Sequence, residues 1–173
     1  MARAYVVVGP ESSGTRLVTR ILIKAGCVGD SGHWQAFDEE LPIGILHIVW
    51  RRSILHGGIW PDMVALIAQL REAGYTVTVI VTFREWYANA MSQVACRYSA
   101  SASETYERLP QIYRHIFGAL IETNVPFETI SYESLVLHPI DTQRELLKRL
   151  GLNTECRINI TDGNAKHYKK AVK

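Results

Sequence analysis

A β-branched run, Tyr5 to Val8, leads directly into Gly9-Pro10-Glu11-Ser12-Ser13-Gly14-Thr15-Arg16, and from Thr15 onward Leu17, Val18, Ile21 and Leu22 recur at helical spacing as far as Gly26. Strand, glycine-bounded loop and helix thus follow one another without interruption. This constrains the chain more than any other feature. A buried strand that turns at its C-terminal end into a helix N-terminus directs several backbone N–H groups into one concavity, and such a concavity binds anions.

The rest of the sequence repeats the alternation. Ile45 to Trp50 reads as a second buried strand, and Pro61-Asp62 opens a helix that runs through Arg71 and stops at Gly74. Thr76 to Thr82 is almost wholly β-branched. Trp86, Ala90, Met91 and Val94 then recur as a helix, which the stretch Ser99 to Ser103 separates from another helix over about Glu104 to Glu122. Pro126 to Ile130 reads as a fourth strand, and Pro139 to Leu150, closed by Gly151, as an amphipathic helix with Ile140, Leu146, Leu147 and Leu150 inward. Continuous apolar strands between amphipathic helices imply a parallel sheet covered on both faces. The expected fold is therefore α/β and three-layered, P-loop NTPase-like, with a mostly parallel sheet flanked by helices. At 173 residues without internal repeat or linker, residues 1–173 are expected to form a single domain. Trp86, Tyr87, Tyr106 and Tyr113 are assigned to packing, and the lysines of the tail from Asn164 to a solvated basic end.

Bulk properties narrow the partners. A formal charge of +2 is too small to mark the whole surface as a nucleic-acid or membrane binder, so any anion recognition must be local. Cys27, Cys96 and Cys156 are odd in number and far apart, which suggests neither a disulfide framework nor a zinc site and fits a reducing, cytoplasmic setting. Tyr5 to Val8 is far too short to span a membrane.

The glycine spacing of the loop is that of a Walker A sequence, yet Thr15 and Arg16 stand where Lys and Ser/Thr are usual. Neighbouring strands end in Trp50-Arg51-Arg52 and Phe83-Arg84-Glu85, so basic residues mostly occupy the places where a kinase keeps its Mg²⁺-binding acid. No metal ligand set is expected. Ser13-Gly14-Thr15 at the head of the first helix resembles the Ser-Gly-Thr loop of sulfotransferases, and Arg84 and Ser92, with seven residues between them, are similar to that family's Arg and Ser. Tyr132-Glu133-Ser134-Leu135, with His138-Pro139 and Leu146 to Leu152, resembles its Tyr-Glu-Asp-Leu segment and the helix that follows.

The resemblance implies transfer of a sulfuryl group from 3′-phosphoadenosine 5′-phosphosulfate. It implies that Ser13, Gly14 and Thr15 hold the 5′-phosphate, Arg84 and Ser92 the 3′-phosphate, and that Tyr132 sits near the adenine; Gly9, Ser12 and Arg16 join the cofactor site as parts of the same anion-binding loop. The family's usual basic residue before Ser-Gly-Thr is replaced here by Ser12, and its members are usually longer. Arg16, Arg51 or Arg52 could supply the missing charge.

Transfer to a hydroxyl needs a base. His56, after Arg51-Arg52-Ser53 at the end of the second strand, and His33, beside Trp34 in the long polar stretch Val28 to Pro42, are the candidates, that stretch being a possible acceptor lid. His47 is read as structural, and Glu11, which could also act as a base, as capping the loop or facing solvent. Two other functions remain open. One is a P-loop kinase moving the γ-phosphoryl of ATP with Mg²⁺ to a hydroxyl of a nucleotide or modified DNA base, of the viral hydroxymethylpyrimidine-kinase type, with Asp30, Asp38, Glu39 and Asp62 as possible metal ligands. The other is a nucleotide-binding module without catalysis. The expected partners are a nucleotide donor and a hydroxyl-bearing acceptor, a small molecule or modified nucleic acid, with no membrane.

Overall fold

A computed structural model describes residues 1–29 and 44–171. The elements are β1 (Arg3–Pro10), α1 (Thr15–Lys24), β2 (His47–Ile54), α2 (Met63–Glu72), β3 (Thr76–Phe83), α3 (Trp86–Ala95), α4 (Ala102–Thr123), β4 (Phe127–Ser131), α5 (Tyr132–Leu137), α6 (Pro139–Leu150) and α7 (Ala165–Ala171). The four strands form one parallel sheet in the order β2-β1-β3-β4.

Alternation along the strands sorts the core into two layers. Ala4, Val6 and Val8 of β1 face Met63, Leu66 and Ile67 of α2 and Ile112 and Ile116 of α4, whereas Tyr5 and Val7 face Val18, Ile21 and Leu22 of α1 and Leu146 and Leu147 of α6. With helices on both sides no strand face needs to be polar, which is why the strands read as unbroken apolar runs. Each fully buried Val, Ile or Leu contributes roughly 1.5–3 kcal/mol over an exposed one.

The connections position the site. After β1 the chain moves to β2 through α1, then returns across β1 to β3 through α2 on the opposite face, as right-handed crossovers in opposite directions require. That reversal opens a crevice between the C-terminal ends of β1 and β3, where open α/β sheets bind ligands.

Several elements differ from their sequence expectations. β2 runs from His47 to Ile54 rather than from Ile45 to Trp50, so Arg51-Arg52-Ser53 is strand and not turn. Val7 to Pro10 of β1 pair with Arg51 to Ile54, and backbone pairing outweighs the charge of the side chains. Ile140 is 49% exposed, and Gln143 takes the expected apolar place in α6, its amide bonding both the N–H and the C=O of Ile158. Trp86 and Tyr106 are exposed rather than packed, while Tyr113 stacks on Phe83 at 4.8 Å. α4 begins at Ala102, capped by Ser101, whose hydroxyl accepts from the Glu104 N–H. In the tail α7 packs on α3 with Asn164 and His167 buried, while Lys166 is exposed, as expected of a basic end. Among the described residues no helix is long and apolar enough to cross a membrane.

Candidate functional site

The loop between β1 and α1 is held in shape by contacts on its inner side. Ser13 is fully buried, and its hydroxyl lies 2.6 Å from that of Thr82 at the end of β3. Thr82 donates its own proton to the Val8 carbonyl, so Ser13 donates to Thr82. Gly9 admits this joint because a Cβ there would stand 2.2 Å from Thr82 Oγ1 and 2.5 Å from Ser13 Oγ. Ser12 takes a positive φ of 63°, and the Arg84 guanidinium pins it by donating to its carbonyl at 2.7 Å. Asn89 and Gln93, one turn apart on α3, both donate to the Glu11 carbonyl at 3.1 Å.

With the carbonyls of Glu11 and Ser12 bound to side chains, the amides at the start of α1 face outward. Thr15, Arg16 and Leu17 precede the first intrahelical bond, from the Val18 N–H to the Gly14 carbonyl, and no side chain caps the helix. This N-terminus opens onto a cleft of about 470 Å³ whose lining includes Arg16, Arg20, Arg51 and Arg84. Thr15 Oγ1 lies 3.0 Å from Ser53 Oγ, so two hydroxyls share its floor.

Arg84 is the hinge of the far wall. Besides gripping Ser12 it donates from Nε to Asn164 Oδ1 at 2.8 Å, and its guanidinium carbon sits 4.7 Å over the Tyr132 ring. Burial lowers its pKa, which Tyr132 and Glu133 oppose. The Tyr132 hydroxyl accepts from the Gly163 N–H and donates to the Thr161 carbonyl, closing the C-terminal segment over the same wall.

At the other end His56, in a single 3₁₀ turn (His56–Gly58), places Nδ1 2.5 Å from Glu11 Oε1. Glu11 is 8% exposed, so its carboxylate is turned to His56 rather than to solvent. A carboxylate on Nδ1 selects the tautomer with the proton there and the lone pair on Nε2. The ring of His56 lies 5.8 Å from that of Tyr98, which borders both this cleft and a larger one of about 910 Å³.

Of the residues expected at the site, Ser12, Gly14, Thr15, Arg16, Arg84, Tyr132 and His56 line the smaller cleft, and Gly9 and Ser13 build its loop from behind. Ser92 does not join Arg84 there; it is buried on α3 and is not part of the lining. Arg52 is also displaced. Its register puts it on the α2 face of the sheet, 1% exposed and 5.4 Å from the Trp50 ring, while Arg51 and Ser53 point into the cleft. His33, Trp34, Asp30, Asp38, Glu39 and most of the proposed lid lie outside the described residues. His47, half-buried with its ring 6.3 Å from that of Tyr5, lies at the start of β2 and away from the cleft, in keeping with a structural role. Among the described residues no group of three or more His, Cys, Asp or Glu side chains is arranged to hold a metal ion.

Sequence reasoning missed Ser53, Arg20, Thr82, Asn89, Gln93, Tyr98 and Asn164. Only Asn89 and Gln93 carried a local signal, two amides at i and i+4 on a helix whose other inward residues are small.

Comparison with protein-family models returns no match, and comparison with curated protein sequences returns none. The class that the described fold defines is a helix-flanked, all-parallel α/β sheet with a basic cleft at its C-terminal edge.

The cysteines provide a probe of this cleft. Cys96 is exposed and borders it, whereas Cys27 is buried, which pushes its thiol up to about 12. Maleimide should label Cys96 and spare Cys27, and any ligand that fills the cleft should slow labelling of Cys96 by about tenfold or more, as mass spectrometry of the peptides would show.

Proposed function

We propose that the chain is a P-loop group-transfer enzyme that moves a sulfuryl group from 3′-phosphoadenosine 5′-phosphosulfate to a hydroxyl acceptor. One observation carries this reading: Arg16, Arg20, Arg51 and Arg84 converge on an uncapped helix N-terminus, and the one carboxylate in the described lining, Glu11, is paired with His56. Such a lining offsets phosphate charge with guanidinium groups. The bound nucleotide supplies an activated sulfur–oxygen bond. The α1 amides and Arg16 stabilise the charge that develops on the leaving phosphate oxygen. His56, oriented by Glu11, takes the acceptor's hydroxyl proton on Nε2 as that oxygen bonds to sulfur and the sulfur–phosphate oxygen bond breaks. Arg84, with Nε committed to Asn164 and one Nη1 proton to Ser12, presents its remaining N–H groups to the 3′-phosphate.

The Thr15–Ser53 hydroxyl pair favours a second reading, phosphoryl transfer from ATP, because hydroxyls at the mouth of a phosphate loop are Mg²⁺ ligands in kinases. Calorimetry separates the two. Adenosine 3′,5′-bisphosphate should bind without Mg²⁺ and about tenfold more tightly than ATP. Tighter binding of Mg-ATP would assign the chain to the kinases, and nucleotide binding with no turnover of any hydroxyl acceptor would make it a binding module.

A further inference from the structure

The larger cleft, of about 910 Å³, begins where Tyr98 and the turn at His56 end the smaller one, and it lies within the size range of small-molecule sites. Its walls come from the turn after β2, the segment that follows α3 and the first half of α4. Two aromatic side chains in this lining, Trp60 and Tyr98, are 40% and 43% exposed. Aromatic surface left open in a cleft suits a planar ring.

The charges of the cleft are unequal. The Glu104 carboxylate is engaged by the Ser99 hydroxyl, the Ala100 N–H and Arg108, and these contacts hold it below the usual carboxylate range. Arg108 is thereby neutralised. Arg97 remains as an exposed cation in the lining, at the C-terminal end of α3.

The backbone of Arg97 gives an independent reason to regard that side chain as functional. The Arg97 N–H bonds to the Val94 carbonyl and the Tyr98 N–H to the Gln93 carbonyl, the double bond of a helix end whose left-handed residue is ordinarily glycine. Arg97 occupies that position at a φ of 61°, and Leu55, across the same cleft, has a φ of 70°. With Ser12 of the phosphate loop, three of the four described non-glycine residues at positive φ border the two clefts. A strained conformation kept at a cleft marks side chains that the site uses.

We propose that the larger cleft binds the acceptor, and that the acceptor is a hydroxyl compound with a planar ring and an anionic group, the ring against Trp60 and Tyr98 and the anion on Arg97. The role as acceptor rests on the transfer reading above; the ring-and-anion site does not. A phosphate and a carboxylate would both satisfy Arg97, and the probes distinguish them.

The test measures binding with and without saturating adenosine 3′,5′-bisphosphate. Uridine 5′-phosphate is compared with uridine, and 4-hydroxyphenylacetate with its neutral analogue 4-hydroxyphenylethanol. At least one anionic member should bind about tenfold more tightly than its neutral partner, with the phosphate or the carboxylate pair showing which anion is preferred. Arg97→Gly should bring that ratio to about one. Because glycine suits the local backbone, the same variant should raise Tm by about 2–4 °C, so the loss cannot be ascribed to unfolding. A ratio near one in both wild-type pairs, a ratio that survives Arg97→Gly, or a fall in Tm would overturn the proposal. If the ring anions bind through Arg97 while the bisphosphate does not bind, the ligand site stands and the donor assignment alone fails.

Discussion

Replacing Gly9 by alanine should destabilise the protein by about 3 kcal/mol and, on the proposed reading, remove nucleotide binding at the first loop. The added methyl would meet Thr82 Oγ1 at 2.2 Å, Ser13 Oγ at 2.5 Å and the Thr82 backbone carbonyl at 2.9 Å. A hydroxyl could rotate aside, but the carbonyl belongs to β3 in the middle of the sheet and cannot. Either β1 separates from β3 at its C-terminal end, or Ser13 gives up its bond to Thr82 and becomes a buried unpaired hydroxyl. The first outcome costs packing and the second desolvation, and each is worth roughly 1–3 kcal/mol. Both displace the residues that lead into α1. Urea denaturation and calorimetry with adenosine 3′,5′-bisphosphate would measure the two effects. Stability within about 0.5 kcal/mol of wild type would show that the joint is looser than its distances state.

On the proposed transfer reading, His56→Ala lowers kcat for sulfuryl transfer by about 10²–10⁴-fold while leaving the nucleotide's Kd within about twofold. His56 lies on the turn after β2 and meets the loop through the Glu11 carboxylate, whereas the loop backbone is held by Arg84, Asn89 and Gln93, so its removal takes away the proposed base while those backbone contacts to the loop remain. Glu11→Gln should produce a smaller loss, about tenfold or more in kcat, because an amide can still accept from Nδ1 but no longer balances the charge of the protonated ring. Equal kcat in wild type and His56→Ala would remove His56 from the chemistry. A parallel loss of nucleotide affinity would make it a binding residue instead.

The layers of the fold were legible in the sequence because their cause is local. Val6 to Val8 and Thr76 to Thr82 each state their burial within seven residues, and α2 and α6 announce their ends with Pro, Asp and Gly. β2 was misplaced for the same reason. Three polar residues, Arg51 to Ser53, hide a strand whose existence is settled by hydrogen bonds to β1, more than forty residues earlier in the chain. Ile140 failed likewise: helical periodicity counted it inward, and only the path of the chain at Ile158 shows that Gln143 has the inward place.

By itself the sequence determined that a strand, a glycine-bounded loop and a helix would meet at the head of the chain, since hydrophobic period, capping and turn chemistry act over a few residues. The tertiary structure decided which charges face that loop. Arg51 and Arg52 are indistinguishable as letters, yet the two-residue period of a strand sends one into the cleft and the other into the opposite layer. The pairing of Glu11 with His56, the bond from Ser13 to Thr82 and the closure of Asn164 on Arg84 join residues 45, 69 and 80 positions apart. Contacts of that separation depend on how the strands are ordered in the sheet, and strand order is fixed by the packing of both helical layers at once rather than by any one segment.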